Sequence, residues 1–142
     1  MNKELFKAVS DRIAAEVPEL KWIDFDDGTL DMQQERPAVA FPACVFDIDY
    51  PDTENETDTE QIVNCRLSFR LAFENQGPTN SKSPVRDNAL SIFDTIDKLH
   101  LALQGWNNPG EFNPLSRRSG MREKRSDGYI VYRLEYRTQF LE

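Results

Sequence analysis

Two long stretches of alternating apolar and polar side chains constrain the fold of this chain more than any other feature. One runs from 62 to 73, with apolar residues at Val63, Cys65, Leu67, Phe69, Leu71 and Phe73. The other runs from 129 to 140, with apolar residues at Ile130, Tyr132, Leu134, Tyr136 and Phe140. Because successive side chains of a β-strand point to opposite faces, each stretch predicts a strand with one core face and one polar face. A strand needs a neighbour, so the chain must contain a sheet.

Two shorter segments predict further strands. The residues from Val39 to Tyr50 are rich in β-branched and aromatic types, and Pro42 within them favours a bulge or an irregular start. Trp22–Phe25 is followed by Asp26-Asp27-Gly28, a typical tight-turn sequence, which suggests a small hairpin continuing through Thr29 and Leu30.

Two segments predict helices because their apolar residues recur every three or four positions. The first has Asn2 as a candidate N-cap and is stopped by Pro18, with a stripe made of Leu5, Val9, Ile13 and Val17. The second has Ser83 as cap, Pro84 in the first turn and Gly105 as its stop, with a stripe made of Val85, Ala89, Ile92, Phe93, Ile96, Leu99 and Leu103. We predict one α+β domain over residues 1–142, a mainly antiparallel sheet of about four strands with two helices packed on one face.

The connection from residue 52 to 60 contains no apolar residue and carries the carboxylates of Asp52, Glu54, Glu56 and Asp58. Its self-repulsion predicts an extended, mobile hairpin loop. Cys44 and Cys65 lie in the apolar runs on either side and are interpreted as buried thiols in a reducing compartment. A hairpin turning near 54–57 would place them at roughly opposed positions, so a disulfide stays open.

The segment from 117 to 125 is basic in an otherwise acidic chain, with Arg117, Arg118, Arg122, Lys124 and Arg125. It is either a solvated loop or a contact for phosphates or for an acidic surface. Together with the acidic segment 52–60, it would let copies of the chain associate head to tail. Trp106, Phe112 and Leu115 are candidate apolar anchors of such an interface, although Trp106 also suits a lid over the core.

Composition argues against several functions. The net charge of −8 over 142 residues disfavours a general nucleic-acid or anionic-membrane binder and makes proteins the expected partners. No apolar run approaches the ~20 residues of a membrane span, and the first residues lack the apolar core of a signal peptide, so we expect a cytoplasmic protein.

Catalytic and metal-binding patterns are missing from the sequence. His100 is the only histidine and is predicted in the last turn of a helix, where it is interpreted as structural. Two cysteines and one distant histidine match no usual zinc spacing, and the acidic run lacks the glycine of a calcium loop. The scattered glycines form no phosphate-binding loop. We therefore predict no enzyme activity, no metal and no cofactor.

The order of the elements resembles the tail terminator and tail completion proteins of long-tailed bacteriophages and prophages. The resemblance is carried by Leu101-Ala-Leu-Gln-Gly-Trp106, Asn113-Pro-Leu-Ser-Arg117, Val131 to Thr138, and the strand from Pro37 to Tyr50. It implies a small α/β subunit that forms a ring, commonly a hexamer, on the head-proximal end of the tail tube and faces the head connector. Such a subunit would assemble in the bacterial cytoplasm and remain in the virion. DNA would pass through the ring without sequence-specific binding, and an acidic lumen would repel its phosphates.

Three other functions stay open from the residues. The chain could be a small protein-binding module that uses an exposed strand edge, or a head–tail connector subunit. An enzyme built on Asp47 and Asp49 is the weakest, because alternate positions on a strand suit ordinary solvent-facing charges.

Overall fold

The computed structural model of the protein describes residues 1–32 and 39–142. Five strands form one sheet in the order β1-β2-β3-β5-β4. They are β1 (Trp22–Phe25), β2 (Ala43–Asn55), β3 (Gln61–Phe73), β4 (Ser116–Glu123) and β5 (Ile130–Leu141). The helices are α1 (Asn2–Glu16), the one-turn α2 (Arg86–Ala89) and α3 (Ile92–Leu103), with a short 3-10 turn at Thr29–Asp31.

The two alternating stretches are the central antiparallel pair of the sheet. β3 and β5 pair over their full lengths, with Phe69 opposite Leu134 and Leu67 opposite Tyr136. All six predicted core positions of β3 are buried. The α+β class and the mainly antiparallel sheet are therefore confirmed, but the sheet has five strands instead of about four.

The additional strand is β4, which contains most of the basic segment that the sequence suggested as a loop. β4 pairs antiparallel with β5 along one side only, with a bulge between Arg117 and Ser119. Its central residues are exposed, so no apolar alternation marks it in the sequence. An edge strand with both faces in solvent lacks the pattern from which strands are predicted.

The predicted hairpin around Gly28 is wrong. β1 pairs in parallel with β2, from Trp22 opposite Ala43 to Phe25 opposite Phe46. Gly28 has a φ of 85° and leads into the 3-10 turn, not into a return strand. β1 begins and ends as predicted, and β2 begins directly after Pro42. The Pro37 end of the predicted early strand lies outside the described residues.

The acidic connection is shorter than predicted, because residues 52–55 belong to β2. Asp52 pairs with Asn64 and Asn55 with Gln61, which leaves only residues 56–60 as the tip. The ladder places Cys44 opposite Leu71, and Cys65 opposite Thr138 of β5. Both cysteines are free and buried, so the prediction of buried thiols is confirmed and the disulfide is not formed.

The first helix forms as predicted and buries Leu5, Val9 and Ile13, but Met1 and not Asn2 is its N-cap. The second helix is broken at residues 90 and 91 into α2 and α3. Val85 and Phe93 of its predicted apolar stripe remain exposed.

α1 and α3 contribute to one apolar core against the same sheet face, and among the described residues neither of these helices packs on the other face. On that second face, Leu30, Val39 and Phe41 cover a small apolar cluster at one end. The rest of that face carries charged side chains.

Candidate interaction surfaces

One edge of the sheet is acidic. β1 covers the outer side of β2 only from Ala43 to Phe46, so among the described residues the segment 47–55 has no strand on its outer side. Asp52 accepts a hydrogen bond from Asn64 at 2.9 Å. Within the described parts of the chain, Glu54, Glu56 and Asp58 form no ion pair and are exposed. We call residues 47–60 the acidic edge.

The opposite edge is basic. β4 is the last strand of the sheet on that side. Its charged residues Arg117, Arg118 and Arg122, and the following Lys124, are exposed and form no ion pair with any residue that the structure describes. The backbone N–H of Arg117 donates to the side-chain oxygen of Gln104 at 2.9 Å, which holds the start of the strand against the end of α3. We call residues 117–124 the basic edge.

Arg125 differs from the other basic residues because it is used inside the molecule. Its side chain is 11% exposed and forms ion pairs with Asp127 at 2.6 Å, Glu123 at 3.3 Å and Asp31 at 3.4 Å. It also donates to the carbonyl of Leu30. Arg125 therefore ties the end of β4 to the turn after β1 and is not free to contact a partner.

A buried arginine at the centre of this network was missed from the sequence. Arg70 of β3 is 4% exposed. It donates two hydrogen bonds to Asp31, both at 2.9 Å, and two to Glu123, at 2.9 and 2.8 Å. Asp26 lies 3.5 Å away. The alternation of β3 placed Arg70 on the polar face, but only the fold brings the 26–31 segment over it.

The network shifts the pKa values of its members. Burial opposes the charge on Arg70, but the carboxylates of Asp31 and Glu123 outweigh it and raise the pKa of the guanidinium. In return, hydrogen bonds from Arg70 lower the pKa of Asp31. Burial favours a higher pKa for Glu123, but hydrogen bonds and charges from Arg70 and Arg133 outweigh it and lower the pKa. Arg70, Asp31 and Glu123 are therefore charged at neutral pH.

The three candidate apolar anchors lie in or against the core. Phe112 is 4% exposed and Leu115 is 1% exposed. Trp106 is half-buried, packs edge to face on Phe112 at 5.4 Å, and lies under the guanidinium of Arg12 at 5.6 Å. Trp106 is therefore placed as a lid over the core.

The histidine, cysteine and aspartate side chains that could take part in catalysis are held in structural contacts or buried. Nδ1 of His100 lies 2.8 Å from the hydroxyl of Tyr136, and burial followed by the charge of Arg117 lowers the histidine pKa. Burial raises the pKa of the Cys44 thiol to about 12. Asp49 forms an ion pair with Arg66 at 3.1 Å. In residues 1–32 and 39–142 no three acidic, cysteine or histidine side chains are arranged to hold a metal ion.

No helix in the described ranges has the length and apolar character needed to cross a membrane.

Comparison with known proteins connects this architecture to a family. The model of the phage tail terminator protein family matches residues 1–142. A chain in the virion of a native gene transfer agent particle has a similar structure, with a TM-score of 0.56 over 97% of this chain and 95% of that chain. The two are 11% identical, so this likeness shows the fold. No curated protein matches the sequence. The chain belongs to the phage tail terminator family and is a structural protein of the phage tail.

Proposed function

We propose that copies of this tail terminator assemble into a closed ring, a hexamer, that caps the head-proximal end of the tail tube. The observation that carries this proposal is that opposite edges of one sheet bear opposite charges, acidic along β2 and basic along β4. Contact between two different edges is heterologous. A heterologous contact repeated from copy to copy closes into a ring when the rotation between neighbours permits.

The residues assigned to this contact are exposed. They are Arg117, Arg118, Arg122 and Lys124 on one copy, and Asp52, Glu54, Glu56 and Asp58 on the next. Arg125 and Trp106 support the contact indirectly by holding the fold behind the basic edge. Because one exposed ion pair contributes only about 0–1 kcal/mol, the charges mainly select and orient the neighbour.

The assembled ring would present one surface to the tail tube and the other to the head connector. Assembly would take place in the host cytoplasm before the ring becomes part of the virion. We infer a role without catalysis, supported by the structural character of the family and by the burial of both thiols. Carboxylates that this contact leaves unpaired on the lumen side would repel DNA phosphates and let DNA pass without sequence-specific binding.

Light scattering tests the ring directly. At low salt and rising concentration, we expect the molar mass to increase from 16.4 kDa toward ~100 kDa, as for six copies. High salt should reverse the increase, because it shortens the range of interactions between exposed charges. A monomer under every condition, including incubation with purified tail tubes, would contradict the proposal.

A second candidate is a monomeric protein-binding module. It is favoured by the outer side of β4, which has no strand neighbour among the described residues and could accept an extended peptide. A third candidate is a head–tail connector subunit, which would cosediment with purified heads and not with tail tubes. A tail terminator should instead cosediment with purified tail tubes. Cosedimentation of the protein with heads and with tail tubes therefore distinguishes a tail terminator from these two candidates.

A further inference from the structure

Two of the arginines on the basic edge lie on the same side of the sheet as the helices. Arg117 pairs with Tyr136 and Arg122 with Tyr132, and both tyrosines pack on the core side of β5. Because residues that pair across two strands share a face, both arginines point to the helix side of β4. Gly120 lies between them and has no side chain, so the strand has a gap between its two guanidinium groups.

Two exposed apolar side chains of α3 border this gap. Leu101 is 77% exposed and lies one turn before the glutamine that holds the backbone of Arg117. Phe93 is 43% exposed and packs edge to face, at 5.9 Å, on the tyrosine that pairs with Arg122. The two apolar residues are eight positions apart, or about 12 Å along a helix. The partners of the two arginines are four positions apart, or about 13 Å along a strand. Each apolar side chain therefore lies beside one guanidinium group, and we call these four residues the docking surface.

The charge of the docking surface is positive but small. Arg117 and Arg122 form no ion pair with a residue that the structure describes, but Asp97 lies between the two apolar residues in α3. Burial lowers the pKa of His100; of the two charges beside it, Arg117 lowers that pKa further and Asp97 raises it. An acidic partner is attracted by two arginines and opposed by one aspartate. Apolar contact must therefore supply most of the affinity.

The end of the β2–β3 hairpin has the complementary character. Glu54 pairs with Ile62, and Ile62 pairs in turn with Leu141, so the three side chains form one row across three strands. This row lies on the helix-free face of the sheet. Leu141 is 59% exposed and Ile62 is half-buried. We call this row, together with the tip at residues 56–60, the hairpin end.

The hairpin end is acidic and its tip is ordered. Residues 54–60 carry four carboxylates and no basic side chain, and none of these carboxylates is in an ion pair within the described ranges. The terminal ammonium group at the start of α1 is already paired with Glu142 at 3.4 Å. The backbone N–H groups of Glu56 and Thr57 both donate to the carbonyl of Glu60, at 2.9 and 3.1 Å. A tip held in this way loses little entropy on binding.

We propose that the hairpin end of one copy of this chain binds the docking surface of the next copy. Its exposed apolar side chains pack on Phe93 and Leu101, and its carboxylates pair with the two arginines. The inference rests on the ring proposed above and identifies an apolar part of its contact. Since the hairpin row lies on the helix-free face and the docking surface lies on the helix side, neighbouring sheets overlap at their margins. They do not continue as one sheet, because strand addition brings equal faces together.

The test compares matched substitutions on the two sides of β4. Leu101→Ser/Arg117→Glu removes one apolar and one basic member of the docking surface. Met121→Ser/Arg118→Glu makes the same chemical changes where the side chain at 121 faces the helix-free side and Arg118 lines a groove on that side. At low salt, light scattering should find association weakened ~30-fold or more for the first variant and changed less than ~3-fold for the second.

A second pair of variants tests the sign of the charge effect. Asp97→Asn removes the carboxylate that opposes the acidic hairpin end, so it should tighten association ~3-fold or more. Asp11→Asn makes the same chemical change at an exposed position of α1 and should leave association unaltered. A tighter association cannot result from a folding defect.

Circular dichroism checks that all four variants are folded. If the docking-surface variant assembles like the wild type, if Met121→Ser/Arg118→Glu weakens assembly as much, or if Asp97→Asn does not tighten it, this contact is overturned and the ring is not. If the wild type forms no ring in solution or on tail tubes, the proposed function itself fails, and this contact fails with it.

Discussion

At the scale of single residues, Arg70 depends most on its surroundings. It lies in β3, but its carboxylate partners come from the segment after β1 and from the end of β4. One side chain thus joins three parts of the chain that are distant in sequence. A buried charge is expensive unless it is paired, so removing one partner leaves the others uncompensated.

We expect Arg70→Met to lower the free energy of unfolding by about 3 kcal/mol. The partly buried carboxylate of Asp26 would lose its cation, Asp31 would keep only Arg125, and Glu123 would keep Arg125 and Arg133. The matched control is Arg66→Met in the same strand. The Arg66 side chain is 36% exposed, so its replacement should lower the free energy of unfolding by less than about 1 kcal/mol. Urea unfolding followed by fluorescence measures both. Equal effects of the two substitutions would show that the buried network does not stabilise the fold.

The same network predicts a dependence of stability on pH. Arg70 lowers the pKa of Asp31 and of Glu123 in the folded protein. A carboxylate whose folded pKa is depressed contributes stability above its unfolded pKa, and that contribution is lost as the pH falls through the folded value. We therefore expect the wild type to lose stability as the pH falls below about 4. Arg70→Met should lose less over that range in urea titrations; parallel curves would contradict this.

At the scale of secondary-structure elements, the edge strand β4 determines what the molecule can present to a neighbour. Exposed charged side chains and a bulge, both present in β4, hinder uncontrolled pairing of an edge strand with a strand of another molecule. Gly120 lies in the middle of the strand, opposite Leu134. A Cβ atom at position 120 would lie 2.9 Å from Cδ2 of Leu134, a side chain that is itself buried.

We expect Gly120→Val to destabilise the protein by about 1–2 kcal/mol. Replacing glycine in a strand gains roughly 0.5–1 kcal/mol of backbone entropy, but overpacking against a buried leucine costs roughly 1–3 kcal/mol. Ser119→Val, at the exposed neighbouring position, is the control and should change stability by less than about 0.5 kcal/mol. Thermal unfolding compares the two. A stabilised Gly120→Val would show that Leu134 moves aside without cost.

At the scale of the whole molecule, one apolar core joins α1, α3 and the central strands, and both cysteines belong to it. Cys44 and Cys65 are fully buried, and burial is the largest cause of the rise in each thiol pKa to about 12. A thiol must ionise and contact the reagent to react. Both therefore report the opening of the same core.

We expect both thiols to react with a soluble disulfide reagent only after global unfolding, with rates that follow the population of unfolded protein across a denaturant series. Ser119→Cys, placed on the exposed edge strand, should react within the mixing time and serves as the accessible control. Fast labelling of either native cysteine in water would mean that part of the core opens separately.

Much of the fold was predictable because its signals are local. The alternation in β3 and β5 follows from the geometry of a strand, and the stripe of α1 follows from the geometry of a helix. The sequence could not show β4, since a strand exposed on both faces has no alternation. It also favoured a hairpin at Gly28, because a turn sequence does not specify which strand the chain joins next.

The candidate surfaces divide in the same way. The positions of the acidic and basic segments are properties of the sequence, and so are the net charge and the family match. Only the tertiary structure placed those segments on opposite edges of one sheet and held Arg125 and Trp106 in internal contacts. The physical reason is the separation of the residues along the chain. Helix and strand periodicity depends on residues that are close in sequence. A sheet edge, a buried ion pair or a binding surface depends on which distant segments the fold brings together.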